Sequence, residues 1–209
     1  MRLAAAAAVG TVTAVTGTAP VASTGGTTPA ISVPVATATV SGLVPTPPNN
    51  TTTFLRGDAT FAAASTIVRK TADETVNNSS TLQNDDELLF AIAANEIWLV
   101  QGFLSFNSST VADIRSAITV PAGATLIVNS MALAVGTAAS NGELLNTSST
   151  TSGGAVLAGG TGADSVQRLW AIVVNGANAG NCQVQWAQST AEASNTIVRA
   201  NSFLQAFKV

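Results

Sequence analysis

The chain has 209 residues, of which 46% are apolar and only 9% charged, with a formal net charge of −3 and a mean hydropathy of +0.38. Its eight basic residues, Arg2, Arg56, Arg69, Lys70, Arg115, Arg168, Arg199 and Lys208, are scattered, which excludes the clustered footprint that nucleic-acid binding requires. There is no histidine and a single cysteine, Cys182, so the commonest general base, an intramolecular disulfide framework and a cysteine-rich zinc site are all excluded.

Met1-Arg-Leu-Ala-Ala-Ala-Ala-Ala-Val9 has the outline of a secretory signal, with small-residue cleavage sites before Pro20. The run is mostly alanine and is broken by Gly10 and Thr11, so a protein made in the cytoplasm and left uncleaved is the expectation. No stretch approaches the roughly 18 apolar residues of a spanning helix, and no membrane insertion is expected. From Ala4 to Leu55 there is no charged residue. The bulky apolar side chains there are too few to offset backbone ordering at roughly 1–2 kcal/mol per residue. Pro20, Pro29, Pro34, Pro45, Pro47 and Pro48 forbid regular helix. Residues 1–62 therefore read as an extended stalk or arm that takes its order from neighbouring chains. Residues 63–209 are enough to bury a core of their own.

Strand signals dominate that second part. Ser65–Lys70, Glu87–Ile92, Glu96–Phe106, Asp113–Val120, Ala124–Leu133, Ser165–Val174, Asn181–Trp186 and Thr196–Val209 are β-branched or aromatic runs. They are bounded by turn clusters such as Pro121-Ala-Gly123, Asn175-Gly176 and Asn178-Ala-Gly180. No window carries a capped stripe of helical period. The expected fold is all-β, an extended arm followed by a jelly-roll β-sandwich. Trp98, Phe106, Ile118, Trp170, Trp186 and Leu204 are the core candidates, with Cys182 and Val184 on the same strand face as Trp186. Several strands are apolar on both faces. Leu99 and Phe103 alternate with Trp98, Val100, Leu104 and Phe106, and Phe203 and Phe207 alternate with Leu204 and Ala206. A second apolar face needs a second neighbour, and the economical neighbour is another copy.

Candidate sites are few, and no catalytic, cofactor-binding or metal-ligating residue is assigned. Asp85-Asp86-Glu87, after Asn84, is the one carboxylate cluster; it reads as a solvated hairpin tip, with hard-oxygen calcium binding as the alternative, although the spacing and glycine of a calcium loop are missing. Asp113, Glu143 and Asp164 cannot be placed in one cleft from sequence, so paired-acid chemistry has no footing. Arg56-Gly57-Asp58 spells an adhesion tripeptide but lies between Phe54 and Phe61 as ordinary turn chemistry. The sequons at Asn49, Asn50, Asn77, Asn78, Asn107 and Asn146 matter only on a eukaryotic secretory route. Ala134 to Gly162 reads as an exposed loop region around one short strand at Ala155-Val-Leu157, where a host glycan or receptor contact would sit.

Val12-Thr-Ala-Val-Thr-Gly-Thr-Ala-Pro20, Ser23-Thr-Gly-Gly-Thr-Thr-Pro-Ala-Ile-Ser32 and Gly42-Leu-Val-Pro45 with Phe54-Leu-Arg-Gly-Asp58 resemble the stalk repeats of tailed-bacteriophage fibre proteins. Cys182-Gln-Val-Gln-Trp-Ala-Gln-Ser-Thr190 and Asn201-Ser-Phe-Leu204 resemble the closing strands of a small sandwich domain of phage minor structural proteins. The resemblance implies a non-enzymatic virion structural protein. It also suggests a homotrimer with a tumour-necrosis-factor-like knob, attached through residues 1–62 to capsid or tail proteins. A tail fibre and a capsid decoration or head fibre both fit. A secreted bacterial adhesin or lectin-like sandwich is the alternative from another class.

Overall fold

A computed structural model describes residues 14–26, 28–37, 39–44, 48, 53–63, 65–135 and 144–209. The chain divides into two compact units, Met1–Ala64 and Ser65–Val209. Among the described residues there is no helix.

In the first unit, β1 (Ala22–Ser23) pairs antiparallel with β2 (Ile31–Ser32), and β3 (Thr53–Leu55) with β4 (Phe61–Ala63). Val35 and Leu43 form an isolated parallel bridge. None of its described residues is buried. Valines, threonines and glycines make short extended pieces here, and the few large apolar side chains, such as Ile31, Leu43 and Phe54, stay exposed and gather no core.

The second unit is a β-sandwich. One sheet has eight strands: β5 (Thr66–Arg69), β6 (Glu74–Asn77), β8 (Ile97–Asn107), β10 (Thr125–Leu133), β11 (Leu144–Ser149), β13 (Asp164–Val174), β15 (Asn195–Val198) and β16 (Phe203–Lys208). The other has four: β7 (Gln83–Ile92), β9 (Ile114–Thr119), β12 (Val156–Ala158) and β14 (Gly180–Gln188), in the order β12-β9-β14-β7. In the large sheet β10 lies between β11 and β13, β8 pairs with β13, and all the pairs are antiparallel. The other edge of β8 is shared by β16 and β15, which in turn pair with β5 and β6. From β6 to β10 the chain passes alternately between the sheets, the wiring that a jelly roll uses.

Alternation along the strands builds one core. Trp98, Val100, Leu104 and Phe106 of β8, Leu169 and Val173 of β13, and Leu204 of β16 face Leu88, Phe90, Ile114, Ile118, Cys182, Val184 and Trp186 of the small sheet. Phe90 and Trp98 meet with ring centroids 5.3 Å apart, a tilted contact favoured by their quadrupoles. Gly102 also points inward; a Cβ there would lie 3.1 Å from Leu169 Cβ and 3.1 Å from Leu204 Cδ2, so the core closes over a missing side chain. A polar strut crosses this core. Ser116 Oγ donates to Gln167 Oε1 at 2.8 Å and Gln167 Nε2 donates to Ser130 Oγ at 2.8 Å, which satisfies the buried amide.

Four expectations need correction. Trp170 is on the outer face of β13 and half-buried; Gln167, Leu169, Ala171 and Val173 take the inward positions, and the pleat puts residue 170 on the other side. The run Thr196–Val209 is two strands, broken where Asn201 adopts a φ of 70° and Ser202 bonds Ser105. Ala134 to Gly162 holds two strands, because the Thr- and Ser-rich Leu144–Ser149 pairs along the edge of β10. Asp85-Asp86-Glu87 is no hairpin tip. It lies inside β7, where the register against β14 shifts between Gln183 and Gln185, and this irregularity turns Asp85 into the interior.

Candidate functional site

The most distinctive surface is the outer face of the eight-stranded sheet. The registers align Ile127, Ile172, Leu99 and Phe207 as one row across β10, β13, β8 and β16. Ile127 is 51% exposed, Ile172 44% and Leu99 41%. Two residues along, Asn129, Trp170, Gln101 and Gln205 form a mixed row, and beyond it Met131, Arg168, Phe103 and Phe203 form a third. Phe103 and Phe203 stack with ring centroids 5.7 Å apart. A shallow groove of about 350 Å³ runs between the first two rows. Sequence reasoning found Leu99, Phe103, Phe203 and Phe207 on this second face. It missed Ile127, Met131 and Ile172, whose alternation with Leu126, Val128 and Val173 carries the same signal.

A buried charge cluster is the second feature, and sequence reasoning singled out its Asp85 and Glu87 but neither Lys70 nor Glu74 as their partners. Lys70, at the break between β5 and β6, is 1% exposed, and Asp85 is fully buried. Lys70 Nζ donates to Asp85 Oδ2 at 2.9 Å and to Glu74 Oε2 at 2.7 Å. Asp85 Oδ1 accepts from the backbone N–H groups of Glu87 at 3.0 Å and Leu88 at 2.8 Å. Glu74 Oε1 accepts from Gln83 Nε2, and the Glu87 carboxylate takes the Thr71 N–H and hydroxyl. Burial pushes the Lys70 ammonium down, but the bonds and charges of Glu74 and Asp85 outweigh it and hold the group above its ordinary value of 10.5. No local motif signals the cluster, since Lys70 and Asp85 are brought together by tertiary pairing.

The remaining candidates behave as surface or core. Arg56-Gly57-Asp58 is the turn between β3 and β4; Asp58 Oδ1 accepts from the Thr60 N–H and hydroxyl, which lower its pKa, and the Arg56 charge adds to that. Arg199 links Asp73 and Asp164 at the surface. Asp113, with a φ of 47°, accepts from the Gly160 N–H at 2.8 Å. Asp164 in turn accepts from Asn107 and Arg199. Burial pushes the Cys182 thiol up to about 12, so it stays a protonated core side chain. Among the described residues no three His, Cys, Asp or Glu side chains are grouped to hold a metal ion, and no helix is long and apolar enough to cross a membrane. Asn77, Asn78 and Asn146 are exposed, and Asn107 is half-buried. Met1–Val9, Pro45, Pro47, Asn49, Asn50 and Glu143 lie outside the described residues.

No protein-family model matches the chain, and no curated protein matches it. A solved structure of infectious bursal disease virus, Gx strain, aligns with 86% of this chain and 50% of that one, at 11% identity and a TM-score of 0.18. The chain thus spans about half the length of that viral chain, and a likeness this low carries no argument about fold or function.

Proposed function

We propose that the protein is a non-enzymatic structural component of a bacteriophage particle, a trimeric fibre-type appendage with a jelly-roll knob. The observation that carries this reading is the apolar row Ile127, Ile172, Leu99 and Phe207. It crosses four adjacent strands of the large sheet near one end of β8, β10 and β13, and with the Met131, Phe103 and Phe203 row beyond it leaves this outer face more apolar than a solitary soluble sandwich would carry. Sister copies are the occupant. Three such faces around one axis cover one another, and stable contacts of this kind bury roughly 1,200–2,000 Å² each. The N-terminal unit, with no buried residue among those described, suits an arm laid along sister chains or along capsid or tail proteins. The resemblance of residues 12–58 to fibre stalks supports the same assignment. The loops around β11 and β12 are the part of the knob available to a host glycan or receptor.

The test is made on purified particles. The protein is expected in them, with an arm that resists protease when particle-bound and is trimmed when free. Hundreds of copies per particle identify a capsid decoration or head fibre; a few tens or fewer identify a tail fibre. Absence from particles, with a native N-terminus processed near Ala19 or Ala22, would replace this reading with the secreted adhesin.

A further inference from the structure

We propose that Lys70 and Asp85 become joined by an intramolecular isopeptide bond, formed without any other protein, and that Glu74 is the proton shuttle for its formation. An amine and a carboxyl group are held in contact at 2.9 Å, and the two residues are 1% and 0% exposed. A second carboxylate touches the same nitrogen at 2.7 Å. These are the three groups that amide formation needs: a nucleophile, an acyl carbon and a base able to become an acid. Holding them together makes the reaction effectively unimolecular.

The remaining contacts of Asp85 fit the chemistry. Its Oδ1 is held by two backbone N–H groups, from Glu87 and Leu88, so negative charge developing on that oxygen meets two fixed donors. Oδ2, which faces the lysine, is then the oxygen that leaves. In the first step a proton passes from Lys70 Nζ to Asp85 Oδ2, converting the ion pair to an amine and a carboxylic acid; burial favours this neutral pair, and the Glu74 and Asp85 carboxylates that hold the ammonium oppose it. The Nζ lone pair then attacks Asp85 Cγ, forming the C–N bond and placing the negative charge on Oδ1. Glu74 takes a proton from the now cationic nitrogen and passes it to Oδ2. The Cγ–Oδ2 bond breaks, water departs, and Oδ1 becomes the amide carbonyl. Of the three protons on the ammonium, one stays on the amide nitrogen and two leave in the water, while Glu74 ends as it began. No oxidant, reductant or cofactor enters the balance.

The bond ties the end of β5, the first strand of the sandwich, to β7 in the opposite sheet. Tension arriving through the N-terminal unit reaches β5 before any other strand, and the cross-link passes it to the second layer.

Intact-mass spectrometry of the full-length protein tests the inference. The mature chain is expected to be lighter by one water than its sequence requires. Trypsin should fail to cleave after Lys70, giving a peptide that runs from Lys70 to Arg115 and lacks one water. Lys70→Met and Glu74→Gln should each show the full mass. A wild-type protein of full mass, cut after Lys70, overturns the proposal even if neither variant folds. Loss of water that persists in Lys70→Met places the dehydration elsewhere and also overturns it. Loss that persists in Glu74→Gln removes Glu74 from the chemistry.

Discussion

The two sheets of the sandwich share one core but meet the outside differently. On the four-stranded sheet, the outward positions of β14 and β9 include Asn181, Gln183, Gln185, Arg115 and Thr119, and Gln185 donates to Asn84 at 2.8 Å. Polar side chains dominate that face, although its small outward residues Ala117 and Ala187 are fully buried. On the eight-stranded sheet, the equivalent positions include Leu99, Phe103, Ile127, Ile172, Phe203 and Phe207 beside the polar Gln101, Asn129, Arg168 and Gln205. Both sheets come from one chain of low charge, so composition alone does not make the second face apolar. Position does: side-chain period two lets a strand specify each face separately, and only one outer face carries apolar rows.

The largest expected effect is on the shared core. Trp186, fully buried between the sheets, should cost about 3–5 kcal/mol when cut to alanine, seen as a large fall in melting temperature. Next comes Gly102, where the facing Leu169 and Leu204 leave no room; Gly102→Val should cost about 1–3 kcal/mol by overpacking, read in the same way. Smaller still are changes on the outer faces. Asn181→Ile on the polar sheet, at an exposed position, should alter stability by no more than about 0.5 kcal/mol and leave the assembly state alone. Ile172→Glu should disturb the fold of one copy equally little but disrupt assembly, and that divergence sharpens the contrast between the faces.

The smallest effect is in acid. Glu96 is held below its ordinary value of 4.5 by the hydrogen bond from Lys208, helped by those from the Ala93 N–H and the Trp98 indole. A lowered carboxyl stabilises the fold above 4.5, and that contribution fades as pH falls through the folded-state value. Glu96→Gln should flatten this part of the melting-temperature profile; an unchanged profile would remove Glu96 from the account of acid stability.

Much of this was legible in the sequence because local rules and tertiary outcome agree. The run at Glu96–Phe106 is aromatic and β-branched and that at Asn181–Trp186 alternates cleanly, so the strand character of both and the inward side of Trp186 and Cys182 could be read directly. Trp170 misled because size was taken for burial, whereas its strand neighbours Leu169 and Ala171 fix the opposite parity. Leu144–Ser149 was hidden by turn-prone composition, and it is a strand because β10 offers an edge to pair with. The Lys70, Glu74 and Asp85 cluster was invisible for a related reason. The register shift in β7 that buries Asp85 depends on how β7 lies against β14, and nothing within Asn84-Asp-Asp-Glu87 encodes it.

In the proposed assembly, the apolar face of the large sheet is covered by copies of the same chain. Sedimentation equilibrium of the full-length protein at micromolar concentration tests it directly. The predicted mass is that of a trimer for the wild type, falling to a folded monomer when Leu99→Glu and Ile172→Glu are combined. A wild-type protein that sediments as a monomer would contradict the claim.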